Sequence, residues 1–147
     1  MYVKTITDNK KQYIDLLLLA DEQENMIDKY LERGILFAFF EDDIKGICVV
    51  TDEGNKIIEI KNIAVVSKYQ RNGYGKFIIN WLTQKFKYKY DIMRVGTGES
   101  NLTIPFYESC GFERYDVIKN FFIDYYDKPI FEDGKQLKDM VYLRKFL

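Results

Sequence analysis

A glycine-containing segment in the middle of the 147-residue chain constrains its fold more than any other feature. Residues 70–76 read Gln-Arg-Asn-Gly-Tyr-Gly-Lys, and they lie between an apolar run typical of a strand, Lys56 to Val66, and a long amphipathic helix. Two glycines allow the backbone to turn tightly and to approach a ligand closely. Unpaired amides in the first turn of a helix favour an anion, and Arg71 and Lys76 add positive charge. The segment therefore predicts a phosphate or pyrophosphate site between a strand and a helix.

The spacing of the glycines excludes two common phosphate-binding motifs. A P-loop across this segment would need glycine in place of Gln70 and Ser or Thr in place of Phe77. A dinucleotide-binding fingerprint that starts at Gly73 would need a third glycine in place of Ile78. A turn that only starts the helix remains the structural alternative.

The composition excludes several catalytic mechanisms and argues against several classes of partner. The chain has no histidine and two cysteines, Cys48 and Cys110, which excludes Ser-His-Asp and Cys-His mechanisms and the common zinc sites, so we expect no metal. Its 22 basic and 23 acidic side chains nearly cancel, which argues against nucleic acid as a partner. No apolar run is long enough to span a membrane and the first residues do not form a signal peptide, so we expect a cytoplasmic protein without a membrane partner. The length fits one compact domain over residues 1–147.

The apolar spacing predicts a sheet that is preceded and interrupted by helices. Two helical stripes fall within Tyr13–Ala20 and Met26–Leu31, with Asp21 and Glu24 as a capping box between them and Gly34 as the stop. The remaining predicted elements are strands at Ile35–Glu41, Gly46–Thr51 and Lys56–Val66, a helix with Tyr74, Phe77, Ile78, Trp81, Leu82 and Phe86 on one face, a strand at Ile92–Val95, a helix at Ile104–Cys110 ended by Gly111, and strands at Tyr115–Tyr126 and Lys138–Leu147. This order indicates the α+β class (α/β in looser usage), with a mixed, mainly antiparallel twisted sheet and helices on both faces.

The strand before the glycine segment changes its apolar phase. Ile58 and Ile60 alternate with polar residues, whereas after Asn62 the apolar positions pass to Ile63 and Val65. A shift from even to odd positions is what one extra residue in a strand produces, so the sequence predicts a β-bulge near Asn62.

Several motifs, taken in order, resemble the GNAT superfamily of N-acetyltransferases. The pattern Gln-x-x-Gly-x-Gly after an apolar strand is the acetyl-CoA signature of that superfamily, and here it begins at Gln70. The other matching parts, the last two of which look like a poorly characterised bacterial branch, are Glu59–Val65, Asn101, Phe106–Phe112, Pro129–Glu132 and Asp139–Val141. The resemblance extends from about the second strand to the end of the chain and implies a GNAT-like sheet.

The resemblance also implies acetyl-CoA as the co-substrate. Five residues of the loop would hold the pyrophosphate of coenzyme A by their backbone amides: Arg71, Asn72, Gly73, Gly75 and Lys76. Backbone groups of Ile63 and Val65 would pair with the pantetheine arm like an added strand, and an amide there would polarise the thioester carbonyl and stabilise the oxyanion that forms from it. This arrangement requires the bulged strand to splay away from Ile92–Val95. Asn101 would contact the cofactor or cap the following helix.

Two residues are candidates for proton transfer. The resemblance makes Tyr107 the general acid near the sulfur, and the alternative is a core tyrosine on an amphipathic helix. Glu59 lies eleven residues before Gln70, where the histone-modifying branch of the superfamily has its general base, and the alternative is a strand carboxylate that faces solvent. Cys110 is better interpreted as a small buried apolar residue than as a nucleophile, because no histidine is present to activate it.

The predicted activity is direct transfer of an acetyl group to a primary amine within a ternary complex. The acceptor is either a small molecule or a peptide amine, the alternative function is a non-catalytic acyl-CoA-binding or sensor module, and a homodimer is left open. Four aromatic residues would line an acceptor pocket or belong to the core: Phe121, Phe122, Tyr125 and Tyr126. Four acidic residues would attract a cationic acceptor or form a solvated loop: Asp124, Asp127, Glu132 and Asp133.

Overall fold

The structure, a computed structural model that describes residues 1–147, contains nine strands and five α-helices. The strands are β1 (Tyr2–Ile6), β2 (Ile35–Glu41), β3 (Asp43–Asp52), β4 (Ile57–Val65), β5 (Ile92–Gly98), β6 (Glu113–Ile118), β7 (Phe131–Glu132), β8 (Lys135–Gln136) and β9 (Met140–Phe146). The helices are α1 (Ile14–Ala20), α2 (Glu24–Ile27), α3 (Tyr74–Phe86), α4 (Ile104–Ser109) and α5 (Phe121–Asp124). None of these helices is long and apolar enough to cross a membrane.

Seven of the strands form one sheet in the order β1-β2-β3-β4-β5-β9-β6. Strands β4 and β5 are parallel because α3 connects them as a crossover, and every other neighbouring pair in this sheet is antiparallel. Strands β7 and β8 form a separate short hairpin. The predicted α+β fold with a mixed, mainly antiparallel sheet is confirmed.

The predicted bulge lies in β4, one residue before Asn62. Val49 of β3 pairs with Asn62 while its neighbour Val50 pairs with Ile60, so Lys61 is the extra residue. Ile58 and Ile60 before the bulge, and Ile63 and Val65 after it, all pack against the same core. The change of apolar phase in the sequence therefore has the physical cause that was predicted.

Strands β4 and β5 part immediately after the bulge begins. Their pairing runs from Ile57 with Ile92 to Ile60 with Val95 and extends no further. Strand β5 continues to Gly98 along β9, so the two parallel strands diverge beyond Ile60. The splay that the resemblance requires is present, and it opens the sheet at its centre.

Apolar side chains are buried on both faces of the sheet. Helices α3 and α4 cover the larger core, which includes Phe37 and Leu82. Helix α1 and the turns around α2 cover the smaller core on the other face, which includes Leu17 and Leu36. The strands of the centre are consequently buried on both sides, as their nearly continuous apolar runs indicate.

The buried face of α3 is rotated from the predicted one. Phe77 is 39% exposed, whereas Ile79, which was not assigned to that face, is buried together with Ile78. Tyr74 is the first residue of the helix, and its hydroxyl donates a hydrogen bond to Glu41 at 2.8 Å.

The first third differs from the prediction of two helices. Residues 2–6 form β1, an edge strand antiparallel to β2, and α2 is only one turn long. The predicted capping box is wrong, because α2 begins after Gln23 without a side-chain cap. Asp21 instead accepts hydrogen bonds from the hydroxyls of Tyr30 and Tyr126, one on each of its carboxylate oxygens.

The predicted strand Tyr115–Tyr126 ends at Ile118. Asn120 adopts a left-handed conformation (φ 58°), and its amide donates to the Asp139 carboxylate at 2.9 Å, which fixes a turn. The chain then forms α5 instead of continuing as a strand. Aromatic residues with high strand propensity are thus held in a helical turn by contacts with the rest of the chain.

Candidate active site

A cavity of about 470 Å³ opens where β4 and β5 part. Two of its walls are Ile60–Ile63 of β4 and Val95–Gly98 of β5. Helix α4 contributes Tyr107, and the segment after α1 contributes Asp21 and Glu22. Side chains of α5 and of the β7–β8 hairpin region form a further wall. The cavity therefore brings together parts of the chain that are far apart in sequence.

The loop that joins β4 to α3 presents an unusual series of free backbone amides. The amides of all residues from Arg71 to Lys76 donate to no acceptor within the chain. Arg71 (φ 65°) and Gly73 (φ 86°) both adopt left-handed conformations, and a side chain at Gly73 would meet no atom within 4 Å. Such a concave run of amides at the start of a 13-residue helix is suited to bind phosphate oxygens. The residues predicted to hold a pyrophosphate are thus adjacent and unpaired.

The side chains of the loop stabilise its shape. The Asn72 amide nitrogen donates to the carbonyls of Tyr69 and Gln70, both at 3.2 Å. Gln70 lines the cavity, and its side-chain nitrogen donates to the Val65 carbonyl at 3.1 Å. One lone pair of that carbonyl is therefore used within the chain. Ile63 lines the cavity directly.

Tyr107 lines the cavity from α4 and is 6% exposed. Its ring packs against Phe106 and Phe112, with centroids 5.2 and 5.7 Å away, so the ring also belongs to the core. Burial raises the pKa of its hydroxyl above the ordinary value, and the charges of Cys110 and Glu132 act in the same direction. The hydroxyl therefore stays protonated near neutral pH and is able to donate a proton or a hydrogen bond into the cavity.

Glu59 does not line the cavity, and it does not face solvent either. It is 3% exposed and lies on the opposite face of β4 from Ile58 and Ile60. One carboxylate oxygen binds the Arg94 guanidinium, and the other lies 2.6 Å from the Lys61 ammonium. The expectation of a solvent-facing carboxylate is wrong, because parallel pairing with β5 places Arg94 directly beside Glu59.

Asn101 and Cys110 lie outside the cavity lining. Asn101 is exposed, and helix α4 begins after Thr103 with no side-chain cap, so the expected capping role of Asn101 is wrong. The Ser100 hydroxyl instead accepts a hydrogen bond from the Leu102 amide at 3.0 Å. Cys110 is partly buried against the larger core, and neither of the two cysteines is in a disulfide. No group of three or more metal-binding side chains comes together in the chain.

A hydrogen-bond network that the sequence analysis missed forms one wall of the cavity. Tyr126 and Tyr30 donate to the two oxygens of Asp21 at 2.6 and 2.9 Å. The Asn62 side-chain nitrogen donates to the Tyr30 hydroxyl at 3.1 Å and to the Leu17 carbonyl at 2.9 Å. Asn62, between the apolar positions of a strand predicted to be half-buried, was the one sequence signal for this network, because a buried amide needs partners.

Three of the eight residues that the sequence predicted near the acceptor line the cavity. Of the four acidic residues named from the sequence, Glu132 lines it and the other three are exposed. Of the four aromatic residues, Phe122 and Tyr126 line it, whereas Tyr125 is 50% exposed. Glu22, which was not predicted, joins Glu132 there.

Comparisons with known proteins give a consistent result. The family model for the acetyltransferase (GNAT) domain matches residues 32–114, which is more than half of the chain. The uncharacterized N-acetyltransferase YvbK of Bacillus subtilis (strain 168) is 36% identical over 139 residues, which cover 92% of this chain and 90% of that protein.

Two solved structures are similar over almost their full lengths. A GNAT family acetyltransferase from Elizabethkingia anophelis with acetyl-CoA bound is 36% identical, with a TM-score of 0.92 over 99% of this chain and 97% of the other. An acetyltransferase of Bacillus subtilis in complex with CoA is 34% identical, with a TM-score of 0.89 over 99% and 97% of the two chains.

Proposed function

The chain belongs to the GNAT superfamily of acetyltransferases, and on that premise we propose that it transfers the acetyl group of acetyl-CoA to a small primary amine. One observation carries the proposal: the cavity between the splayed β4 and β5 lies beside a loop whose consecutive amides have no partner. The acetyl-CoA and CoA found in the two similar solved structures support the same choice of co-substrate.

The residues of the loop fit the pyrophosphate of coenzyme A. The amides of Arg71 to Lys76 would donate to its oxygens. The N-terminal end of α3 favours negative charge, and the positive side chains of Arg71 and Lys76 attract the pyrophosphate further. Beyond Ile60, β4 has no partner strand on its β5 side, so Ile63 and Val65 would offer backbone groups to the pantetheine arm. The Val65 carbonyl keeps a second lone pair for this purpose. Contact between Asn101 and the cofactor stays a prediction.

Acetyl-CoA, when bound, supplies an activated acyl group. A backbone amide of the free segment of β4 would donate a hydrogen bond to the acyl oxygen and stabilise the negative charge that develops there. Tyr107 would protonate the departing thiolate, since its hydroxyl is kept neutral by burial and lies at the cavity wall. The amine is acylated directly, because Cys110 does not line the cavity and has no activating base.

The amine arrives as an ammonium and must lose one proton before it attacks. Glu59 was the candidate base, and a catalytic role for it stays a prediction, but Glu59 does not line the cavity and both of its carboxylate oxygens are held by cations. Neither oxygen accepts a proton without the loss of an ion pair. We therefore assign Glu59 to the stability of the β4–β5 pair, and we assign the proton to Glu132, which lines the cavity and has an unpaired carboxylate oxygen, or to water beside it.

The part of the cavity beside α5 and the β7–β8 hairpin is called the acceptor end. Its shape favours a small acceptor over a peptide. Phe122 and Tyr126 of the α5 region and Ile130 and Leu137 around the β7–β8 hairpin line the cavity there. These side chains also pack against one another as a small cluster, which covers the site instead of leaving a groove along the sheet.

The test is incubation with acetyl-CoA and a panel of amines, followed by mass spectrometry for the acetylated amine and a thiol assay for free coenzyme A. The proposal expects the two products in equal amounts. Binding of acetyl-CoA with no acetylated product from any amine would contradict enzymatic function and favour the non-catalytic binding module.

A further inference from the structure

The acceptor end of the cavity is surrounded by hydrogen-bond acceptors. Asp21 and Glu22 line it from the segment after α1, and Glu132 lines it from β7. The enclosed Oε2 atom of Glu132 accepts no hydrogen bond within the chain. Lys61 is the one cation in the cavity lining, and its ammonium is held by Glu59 at 2.6 Å. The negative charge of the three carboxylates is therefore left without a cation inside the cavity.

Asn62 indicates independently that a ligand with several hydrogen-bond donors binds at the acceptor end. Its side chain is 3% exposed and lines the cavity, yet its Oδ1 atom accepts no hydrogen bond. The orientation of this amide is fixed by its neighbours: Tyr30 donates to the Asp21 carboxylate and must therefore accept from the Asn62 nitrogen. The unpaired atom is thus an oxygen, which is expensive to bury without a donor.

The carboxylates of the cavity affect one another and Tyr107. Burial raises the pKa of Glu22, and the charges of Glu132 and Asp21 raise it further. The charge of Glu132 also contributes to the raised pKa of Tyr107, after burial and Cys110. Glu132 therefore acts on both Tyr107 and Glu22, and all three side chains line the same cavity.

We propose that this end of the cavity binds an acceptor with two ammonium groups, an aliphatic diamine or a longer polyamine. Glu132 holds the reacting ammonium on the side of Tyr107, and Asp21, Glu22 and the Asn62 oxygen hold the second one. Apolar side chains of the same lining, including Leu19 and Met140, pack against the methylene chain between the two charges. The inference rests on the proposed acetyl transfer, because it names the acceptor of the same site.

The experiment compares 1,4-diaminobutane with butylamine, which lacks the second ammonium group. We expect kcat/KM for the diamine to exceed that for butylamine by about 10-fold or more, as one charge-assisted contact provides. Glu22→Gln should reduce kcat/KM for the diamine by about 10-fold and leave that for butylamine nearly unchanged. Asp133→Asn, which removes an exposed charge next to Glu132, is the matched control and should change neither value.

Calorimetric binding of 1,4-diaminobutane in the presence of coenzyme A provides a readout that does not require turnover. Equal kcat/KM values for the two amines, with no selective effect of Glu22→Gln, would overturn the inference while acetyl transfer stands. Saturable binding that Glu22→Gln weakens, without any acetylated product, would support the inference and contradict the proposed transfer. Absence of diamine binding would overturn the inference whatever the activity.

Discussion

Replacing Glu59 by glutamine separates a stabilising role from a catalytic one. The side chain is 3% exposed and binds Arg94 and Lys61, whose side chains are 25% and 22% exposed. Loss of one partner of a buried ion pair costs about 3–5 kcal/mol. Because both cations reach water after the change, and because glutamine keeps one oxygen as acceptor, we expect the lower end of that range, about 3 kcal/mol.

The expected shift in unfolding temperature follows from the length of the chain. An unfolding entropy of about 2.1 cal/mol/K per residue gives about 0.3 kcal/mol/K for 147 residues. A loss of about 3 kcal/mol then lowers the midpoint by about 10 °C. Thermal unfolding followed by circular dichroism measures this shift, and acetyl transfer is assayed below the new midpoint.

The two roles predict different kinetics for Glu59→Gln. We expect kcat to stay within about 3-fold of the original value, whereas removal of a general base lowers the rate by about 10²–10⁴-fold. Glu53→Gln is the control, since Glu53 belongs to the same charged cluster and accepts hydrogen bonds from Thr51 and Arg33. A fall in kcat of about 100-fold or more, with an unchanged midpoint, would refute the structural assignment and restore Glu59 as the base.

Three further predictions concern other parts of the structure. Tyr107→Phe should lower kcat by about 10²-fold while the Kd of acetyl-CoA, measured by calorimetry, stays the same; equal turnover would make Tyr107 a core residue only. Gly46→Ala should destabilise the fold by about 1–3 kcal/mol in urea unfolding, because the new methyl group would lie 2.6 Å from the Ala64 carbonyl oxygen. Glu22→Gln should raise the unfolding midpoint near neutral pH: burial raises the pKa of Glu22, so stability is lost as pH rises through the pKa of the folded state. The gain should vanish below about pH 3, well under the ordinary pKa of a glutamate, where the carboxyl group is protonated in both states, and a gain independent of pH would contradict this explanation.

Features that depend on neighbouring residues were predictable from the sequence. The bulge of β4 is visible as a change of apolar phase between Ile60 and Ile63, because alternation along a strand reports directly which face is buried. The end of α4 was predictable from Gly111, whose φ of 94° suits glycine. Unpaired amides at the start of α3 were predictable because every helix leaves its first amides without partners, whereas their use for pyrophosphate came from the resemblance.

Features that depend on distant pairing were not predictable in the same way. Asp21 is held by Tyr126, which is 105 residues away, and Glu59 by Arg94, which is 35 residues away. Their local sequences suggested a helix cap and a solvent-facing strand position, and tertiary contacts overrode both. Strand β1 was missed because its alternation is weak: Thr5 and Lys4 are exposed beside a single buried residue, Ile6.

The central claim is that the loop before α3 binds acetyl-CoA, and thermal unfolding with and without acetyl-CoA tests it most directly. At about one hundred times Kd the ligand adds about 2.7 kcal/mol, which corresponds to a rise of about 9 °C for a chain of 147 residues. Gly73→Glu should abolish the rise, because it fills the loop and repels phosphate. Gly54→Glu is the matched control, since Gly54 has a similar φ of 81° and no neighbour within 4 Å of a new Cβ atom, and it should retain the rise. No rise in the folded wild-type protein, or an equal rise in Gly73→Glu, would contradict the claim.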